Sequence, residues 1–304
     1  MSLYQKYRPP TLYRVKGNAD VLSTLEGMLS DIENCTHAFL LHGPTGCGKT
    51  TLARIIADRL GCKGSDLKEI DSAQFRGIDT ARDIRSHSQY KAIEGERRVW
   101  IIDECHKMTN DAQNGLLKIL EDTPNHVYFV LCTTDPQKLL PTIRSRCSMF
   151  QVKPLSDEDM RSLLQRIVRK ERQEISDEVY DILIRTGQGL PRTTIQALEQ
   201  VLKANPEKRE EIAKQAAFEQ SQSIDLCRAL MKRASWKEIG TILNGLKDQE
   251  AEGIRRVVLG YCQAVLLKGD VILAGRIMEE FINPFYDSGF PQLVFACYSI
   301  TKDK

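Results

Sequence analysis

The stretch that decides the fold is His42-Gly43-Pro44-Thr45-Gly46-Cys47-Gly48-Lys49-Thr50-Thr51. It matches the phosphate-binding loop pattern G-x-x-x-x-G-K-[ST], in which Gly43, Gly48, Lys49 and Thr50 occupy the fixed positions. In such a loop, backbone N–H groups surround phosphate oxygens, the lysine brings a positive charge and the threonine hydroxyl binds Mg²⁺. Apolar runs predict a strand before the loop and a helix after it, so a chance match in a flexible loop is the weaker interpretation. We therefore predict a nucleotide and Mg²⁺ site whose phosphates contact residues 43–51.

The composition excludes several classes of protein. With 304 residues, 28% charged and 41% hydrophobic, the chain has the make-up of a globular protein of two or three domains. Its net charge of +2 means that any nucleic-acid surface must be a local cluster. The first ten residues lack the apolar core of a secretory signal, and no run reaches the ~20 apolar residues of a membrane-spanning helix. Nine cysteines without a C-x-x-C pair predict free thiols in a reducing cytoplasm, with no membrane partner.

Residues 1–154 alternate apolar runs with amphipathic segments, which predicts an α/β P-loop domain with a five-stranded parallel sheet. The predicted strands are Ala38–Leu41, Leu67–Ile70, Arg98–Ile102, Tyr128–Cys132 and Met149–Val152. The predicted helices between them are Ala19–Ile32, Thr51–Leu60, Thr80–Tyr90 and Asn110–Glu121. We expect Asp79 to cap the third of these helices.

After residue 154 the strand signal disappears and helices follow. Ser156-Asp157-Glu158-Asp159 is a capping-box pattern that predicts the first helix of a three-helix lid over residues 155–205. Pro191 is expected in the first turn of its third helix. Residues 206–304 read as several amphipathic helices, one of them opened by Ser235, and we predict an all-α collar domain that mediates oligomerisation.

Two carboxylates end the third predicted strand. Asp103 and Glu104 follow Val99-Trp100-Ile101-Ile102 directly. A strand carboxylate beside a phosphate-binding loop holds Mg²⁺, so we assign Asp103 as an outer-sphere ligand of the ion. Thr50 is the other residue assigned to the metal. Glu104 is then placed to polarise an attacking water as a general base. A helix cap is the competing interpretation, but it leaves the phosphate loop without its metal partner.

Three segments resemble the AAA+ clamp-loader ATPases: Asp103-Glu104-Cys105-His106, Thr133-Thr134-Asp135-Pro136-Gln137-Lys138 and Ser145-Arg146-Cys147. Over residues 4 to about 200 the chain is similar to the bacterial DNA polymerase III gamma/tau subunit and to the small subunits of replication factor C. Ser145-Arg146-Cys147 is the most discriminating segment, because it separates clamp loaders from most other AAA+ proteins.

The resemblance implies roles for matching positions. Thr134 matches the sensor-1 position, which contacts the γ-phosphate or its water. Arg146 matches the arginine finger that reaches into a neighbouring subunit's ATP site, and Arg192 matches the sensor-2 arginine of the lid. Tyr7-Arg8-Pro9 and Val15 match the segment that packs against adenine and ribose. The alternatives are a solvated first-turn arginine for Arg192 and a structural cation at a helix end for Arg146.

The resemblance also implies partners and a mechanism. ATP-bound subunits, in a ring or spiral that we expect to be pentameric, open a sliding clamp. Primer-template DNA then tightens the subunit interfaces, ATP is hydrolysed and the clamp is released around the DNA. Because an arginine finger supplied in trans is worth ~10³–10⁵ in rate, an isolated subunit should be a weak ATPase.

The candidate DNA-binding residues are Arg76 and Arg82, near the start of the third predicted helix. Arginines that bind backbone phosphates give sequence-independent, salt-sensitive recognition. With Arg85 they also fit a simple solvated basic face. Gln113, on the helix after the acidic pair, is a weaker candidate for coupling DNA contact to Glu104.

The chain departs from the bacterial pattern at two places. The Gly61-Cys62-Lys63-Gly64-Ser65-Asp66 connection is too short for the family's zinc module and holds one cysteine, so we expect no zinc. Tau-like extensions are expected to be missing, as in a compact phage or divergent bacterial protein. The competing functions are an AAA+ DNA-repair or branch-migration motor that does not act on a clamp, and a non-catalytic scaffold subunit. Lys49, Asp103 and Glu104 argue against a scaffold.

Overall fold

The computed structural model describes residues 1–72, 74–247, 249–285 and 288–302, without the side chains of 216–221. The chain forms two compact units, Met1–Pro206 and Glu207–Lys304. The predicted ATPase and lid segments both fall in the first unit, and the predicted collar is close to the second. The further division of the first unit at residue 154 remains our proposal.

A five-stranded parallel sheet forms the centre of the first unit, as predicted. Its strands, numbered along the chain, are β1 Ala38–His42, β2 Leu67–Asp71, β3 Arg98–Asp103, β4 Val127–Thr133 and β5 Ser148–Gln151. Their order across the sheet is β2-β3-β4-β1-β5, and every pairing is parallel. The predicted strands are confirmed, with ends that differ by one residue.

Helices surround this sheet. Those within residues 1–154 are α1 Leu3–Lys6, α2 Ala19–Ser30, α3 Lys49–Arg59, α4 Ile78–Ser88, α5 Asn110–Glu121 and α6 Pro141–Arg144. The predicted cap of α4 is wrong. Gly77 occupies the N-cap position, and Asp79 lies inside the first turn, where its carboxylate pairs with Arg82 at 2.9 Å.

Both faces of the sheet are buried. In β1, Phe39 and Leu41 pack in a cluster with Leu52 and Ile56 of α3. The intervening Leu40 packs in a second cluster, together with side chains of α4 and α5. Successive side chains of a strand point to opposite faces of the sheet, so each strand contributes to a core on both sides, as expected for a parallel sheet covered by helices.

The lid segment forms the three predicted helices, α7 Asp157–Lys170, α8 Asp177–Gly187 and α9 Pro191–Lys203. The Ser156 hydroxyl accepts a hydrogen bond from the backbone N–H of Asp159, which confirms the predicted cap. Pro191 lies in the first turn of α9, where its missing N–H has no helical partner to lose.

The second unit is helical in its described residues. Its helices are α10 Arg209–Met231, α11 Trp236–Gly245, α12 Ala251–Leu266, α13 Ile272–Phe281 and α14 Gly289–Lys302. The Ser235 hydroxyl caps α11 by accepting from Glu238 N–H at 3.3 Å. Leu226, Val258 and Phe281 belong to its core. No helix in the described residues has the length and apolar character needed to span a membrane.

Candidate nucleotide-binding site

The candidate site lies at the carboxyl edge of the sheet. β1 pairs with β4, with His42 opposite Thr133, and β4 pairs with β3 on its other side. The loops after these three neighbouring strands carry the phosphate-loop motif, the acidic pair and Thr134. Ligands of parallel α/β sheets bind at this edge, because the carboxyl ends of the strands meet there.

The phosphate loop requires glycine at its first fixed position. Gly43 has φ 153°, and a Cβ atom there would lie 2.1 Å from the Val152 carbonyl oxygen. Gly48 has φ 111° and forms the N-cap of α3, and the first backbone N–H groups of a helix are a binding place for anions. Lys49 is 5% exposed, and its Nζ donates to the carbonyls of Gly43 and Pro44 at 2.8 and 2.9 Å.

Thr50 and Asp103 connect the loop to β3. The Thr50 hydroxyl donates to Asp103 Oδ2 at 2.7 Å, and the Glu104 backbone N–H donates to Asp103 Oδ1 at 3.0 Å. Glu104 itself adopts φ 49°, an uncommon left-handed conformation for a residue other than glycine. Backbone strain of this kind clusters at functional sites. A hydroxyl beside a carboxylate is the donor set expected of a Mg²⁺ site completed by water and phosphate oxygens.

Glu104 lies in a polar network that includes one residue the sequence reasoning missed, His106. Glu104 Oε2 is 3.5 Å from the Thr134 hydroxyl and 3.4 Å from His106 Nδ1. The same imidazole nitrogen is 3.0 Å from the Thr133 hydroxyl. Burial lowers the pKa of His106 although Glu104 opposes the shift, so the ring favours its neutral form. The site therefore brings the predicted base and the predicted sensor-1 threonine together.

A pocket adjoins the loop and is called the apolar pocket here. Its walls include the predicted Tyr7, Arg8, Pro9 and Val15, together with Gly46, Cys47, Gly48 and Thr51 of the loop. Arg8 Nε is buried and, within the described residues, has no hydrogen-bond partner. A buried N–H group without an acceptor is costly, so an acceptor atom on a bound ligand would stabilise this pocket.

A second pocket is called the polar pocket. Its walls are Tyr4, Thr45, Gly46, Gly48, Lys49, Thr50, Asp103, Glu104 and Arg192. The lid contributes Arg192, whose backbone N–H is 3.4 Å from the Gly46 carbonyl oxygen. Two cations and two carboxylates thus face one small volume, as a Mg²⁺-bound phosphate group requires.

Tyr4 is the residue of this pocket that sequence reasoning missed most clearly. Helical periodicity gave no signal for it, because Arg8 lies beyond the end of α1. The Arg8 Nη2 atom is 3.3 Å from the Tyr4 hydroxyl.

Arg146 is absent from the described walls of both pockets. Its guanidinium binds Glu121 Oε1, at the end of α5, at 2.5 Å and the Thr142 carbonyl at 3.1 Å. Within this chain, Arg146 therefore connects the end of α5 to α6.

The candidate DNA-binding residues lie around α4. Arg82 and Arg85 line a surface groove between α4 and α5, together with Lys118 and Asp111. The Arg76 carbonyl accepts a hydrogen bond from the Thr109 backbone N–H at 3.0 Å, which holds this segment against the start of α5.

Gln113 of α5 is buried. Its side-chain amide donates to the Met108 carbonyl at 3.1 Å and accepts from the Leu140 backbone N–H at 2.9 Å. It therefore joins α5 to the loop after β4, and a role in coupling DNA contact to Glu104 remains a prediction.

Together, the sheet order, phosphate loop, acidic pair and lid define the α/β module of AAA+ nucleotide-binding proteins. Solved structures agree on this fold. The RuvB Holliday junction branch migration motor of Thermotoga maritima aligns with a TM-score of 0.60 over 78% of this chain and 85% of that one. Its sequence identity of 20% means that this likeness shows the fold alone.

Sequence comparisons find similarity to subunits of DNA polymerase III. A family model described as DNA polymerase III, delta subunit, matches residues 63–156. The gamma/tau subunit of DNA polymerase III from Mycobacterium tuberculosis is 39% identical over 225 residues, or 66% of this chain. The tau subunits of Escherichia coli and Bacillus subtilis are 35% and 32% identical over the same share. Both comparisons therefore find that this chain is similar to subunits of DNA polymerase III.

The match covers part of each relative. The chain spans 39% of the length of the Mycobacterium tuberculosis protein and 34% of the Escherichia coli one.

Proposed function

We propose that this chain is an ATP-hydrolysing motor subunit of a DNA sliding-clamp loader. The observation that carries the proposal is the convergence of Lys49, Thr50, Asp103, Glu104 and Arg192 on the polar pocket of a chain that resembles gamma/tau subunits. A scaffold subunit has no need of this complete set. The likeness to a branch-migration motor extends to the fold and gives no support to that activity.

The phosphate end of ATP is proposed to lie in the polar pocket and its base in the apolar pocket. Lys49 would exchange its two loop carbonyls for phosphate oxygens, because charge-assisted hydrogen bonds are the stronger ones. Thr50 and Asp103 would hold Mg²⁺, which neutralises phosphate charge. The orphaned Arg8 Nε would meet an acceptor on the base or ribose.

Glu104 is the proposed general base. Its carboxylate, near Thr134 and His106, would orient a water for attack on the γ-phosphate. Thr134 would contact the same phosphate or water, and Arg192 would bring a positive charge from the lid.

Arg146 is proposed to complete the site of a neighbouring subunit. The full complex would be a ring or spiral of this chain and homologous subunits, pentameric by analogy with the family. Its assembly on clamp and primer-template DNA would switch hydrolysis on, with Arg76 and Arg82 contacting DNA phosphates.

The test uses the Glu104→Gln variant of the full chain, reconstituted with its partner subunits and the sliding clamp of the same replication system. We expect the variant to bind ATP, to co-migrate with the clamp in ATP, and to lose ~10²–10⁴-fold in hydrolysis, because the base is missing. The wild-type complex should release the clamp on primer-template DNA. A wild-type complex that hydrolyses ATP on branched DNA and never binds the clamp would support the branch-migration alternative instead.

A further inference from the structure

Tyr4 lies where the two pockets meet. It is part of α1 and belongs to the walls of both the apolar and the polar pocket, together with Gly46 and Gly48 of the phosphate loop. A side chain in this place contacts the space proposed for the base and the space proposed for the phosphates. It is therefore able to link the two halves of a bound nucleotide.

Two guanidinium groups converge on the Tyr4 side chain. The guanidinium carbons of Arg8 and Arg192 lie 5.3 and 5.1 Å from its ring centroid. Nη2 of each arginine is also 3.3 Å from its hydroxyl oxygen. The negative face of the ring attracts cations, and a phenol oxygen accepts hydrogen bonds, so one side chain holds two like charges that would otherwise repel each other.

The lid fixes α1 on either side of Tyr4. The Leu3 backbone N–H donates to Glu199 Oε2 of α9 at 3.0 Å. Lys6 Nζ and the Tyr7 hydroxyl donate to Glu171 Oε1, just after α7, at 2.7 and 2.5 Å. Because α1 is bound at both ends, the Tyr4 ring has a defined position relative to the start of α9, which carries Arg192.

We propose that Tyr4 is a positioning residue of the nucleotide site, which holds the Arg192 guanidinium toward the phosphates and couples it to Arg8. This inference rests on the proposed function, since it assigns the polar pocket to the phosphates of ATP. Arg192 is anchored to the loop through its backbone N–H, whereas its long side chain needs a partner to limit its rotamers. The triphosphate, with its additional charge, benefits more from that orientation than the diphosphate does. Tyr4 therefore contributes to the preference for ATP over ADP.

The test measures the affinity of the full chain for ADP and for a fluorescent, non-hydrolysable ATP analogue. We expect Tyr4→Ala to weaken binding of the ATP analogue about tenfold and binding of ADP by less. The reason is that Arg192 loses the ring and the hydroxyl that hold its guanidinium. Tyr4→Phe keeps the ring and loses the hydroxyl, so its loss should be smaller. Tyr13→Ala removes a tyrosine that is 98% exposed in the same amino-terminal segment, and it should bind both nucleotides as the wild type does.

A double variant separates positioning from a general structural role. If Tyr4 acts through Arg192, then Tyr4→Ala combined with Arg192→Ala should bind the ATP analogue no more weakly than Arg192→Ala alone. Fully additive losses, or equal losses for the two nucleotides in Tyr4→Ala, would overturn the proposal. The melting temperature of each variant shows whether α1 still packs. The test needs no clamp, so a chain that shows the Tyr4 effect and loads no clamp would reject only the proposed function.

Discussion

The Thr50 hydroxyl donates a hydrogen bond to Asp103 Oδ2 over 2.7 Å, and this bond joins the first turn of α3 to the end of β3. Residues 53 positions apart in the chain thus form one polar pair beneath the phosphate loop. The pair presents a hydroxyl and a carboxylate, which are both oxygen ligands suited to Mg²⁺.

The first prediction concerns that pair. Thr50→Val keeps the shape of the side chain and removes the hydroxyl, so we expect ATP hydrolysis to fall about 10²-fold and to need more Mg²⁺. A Mg²⁺ titration of the ATPase rate measures this effect. Thr50→Ser restores the hydroxyl and should restore most of the rate. A Thr50→Val chain with the wild-type Mg²⁺ dependence would show that the pair is not the metal site.

The second prediction concerns Arg146. Arg146→Ala should reduce ATPase activity of the assembled complex about 10³-fold or more, because a finger supplied in trans stabilises transition-state charge. Binding of ATP to the isolated chain should be unchanged. Its ion pair with Glu121 is partly exposed, so the free energy of unfolding should fall by less than about 1 kcal/mol.

A matched control exists for this variant. Arg59 forms a similar surface pair with Glu26, at 2.8 Å and comparable exposure. Arg59→Ala should retain the activity of the complex. Similar losses in the two variants would mean that Arg146 acts as a structural cation.

The third prediction concerns DNA. Arg82→Ala should weaken binding of primer-template DNA by a similar factor for every sequence, and should reduce the slope of log affinity against log salt by about one. Arg82→Lys keeps the charge and should keep most of the slope. The control is Arg228→Ala in the second unit, which removes an exposed arginine with an equivalent i, i+3 pair to Asp225. If Arg82→Ala leaves the slope of log affinity against log salt unchanged, then Arg82 does not contact DNA phosphates and faces solvent.

The fourth prediction is a pH dependence that originates at Asp66. This carboxylate is fully buried and accepts backbone N–H bonds from Ile93, Glu94 and Gly95, with Arg98 Nη2 at 3.2 Å. Burial opposes its charge, but the hydrogen bonds outweigh burial and lower its pKa from 3.8 to about 2.

The sign of the effect follows from that shift. Because the folded chain has the lower pKa, the charged carboxylate stabilises the fold fully above the unfolded value of 3.8, and this stabilisation is lost as the pH falls toward about 2. Urea unfolding at several pH values between about 5 and 2 measures how steeply the free energy of unfolding falls with pH in this window. Asp66→Asn should be less stable near neutral pH and show a shallower acid slope. Parallel pH profiles in the two chains would rule out Asp66 as the source.

Several features were predictable from local sequence because they depend on neighbours in the chain. Residues 43–51 specify the phosphate loop, since glycine readily adopts the φ values of 153° and 111° found at positions 43 and 48. The β-branched and aromatic run that ends at Asp103 specifies a buried strand and places a carboxylate at its end. The Asp79 cap failed for an equally local reason, because helix α4 starts one residue before it at Ile78.

The sequence by itself determined the fold class and most candidate residues, but tertiary structure alone decided which of them meet. Tyr4 and Arg192 are 188 positions apart, and no periodicity along the chain relates them. Their contact exists because α1 packs against the lid and the lid packs beside the phosphate loop. Thr134 reaches Glu104 only because β3 and β4 are neighbours in the sheet. Long-range packing of this kind depends on the burial of side chains from distant segments at once, which local residue patterns do not encode.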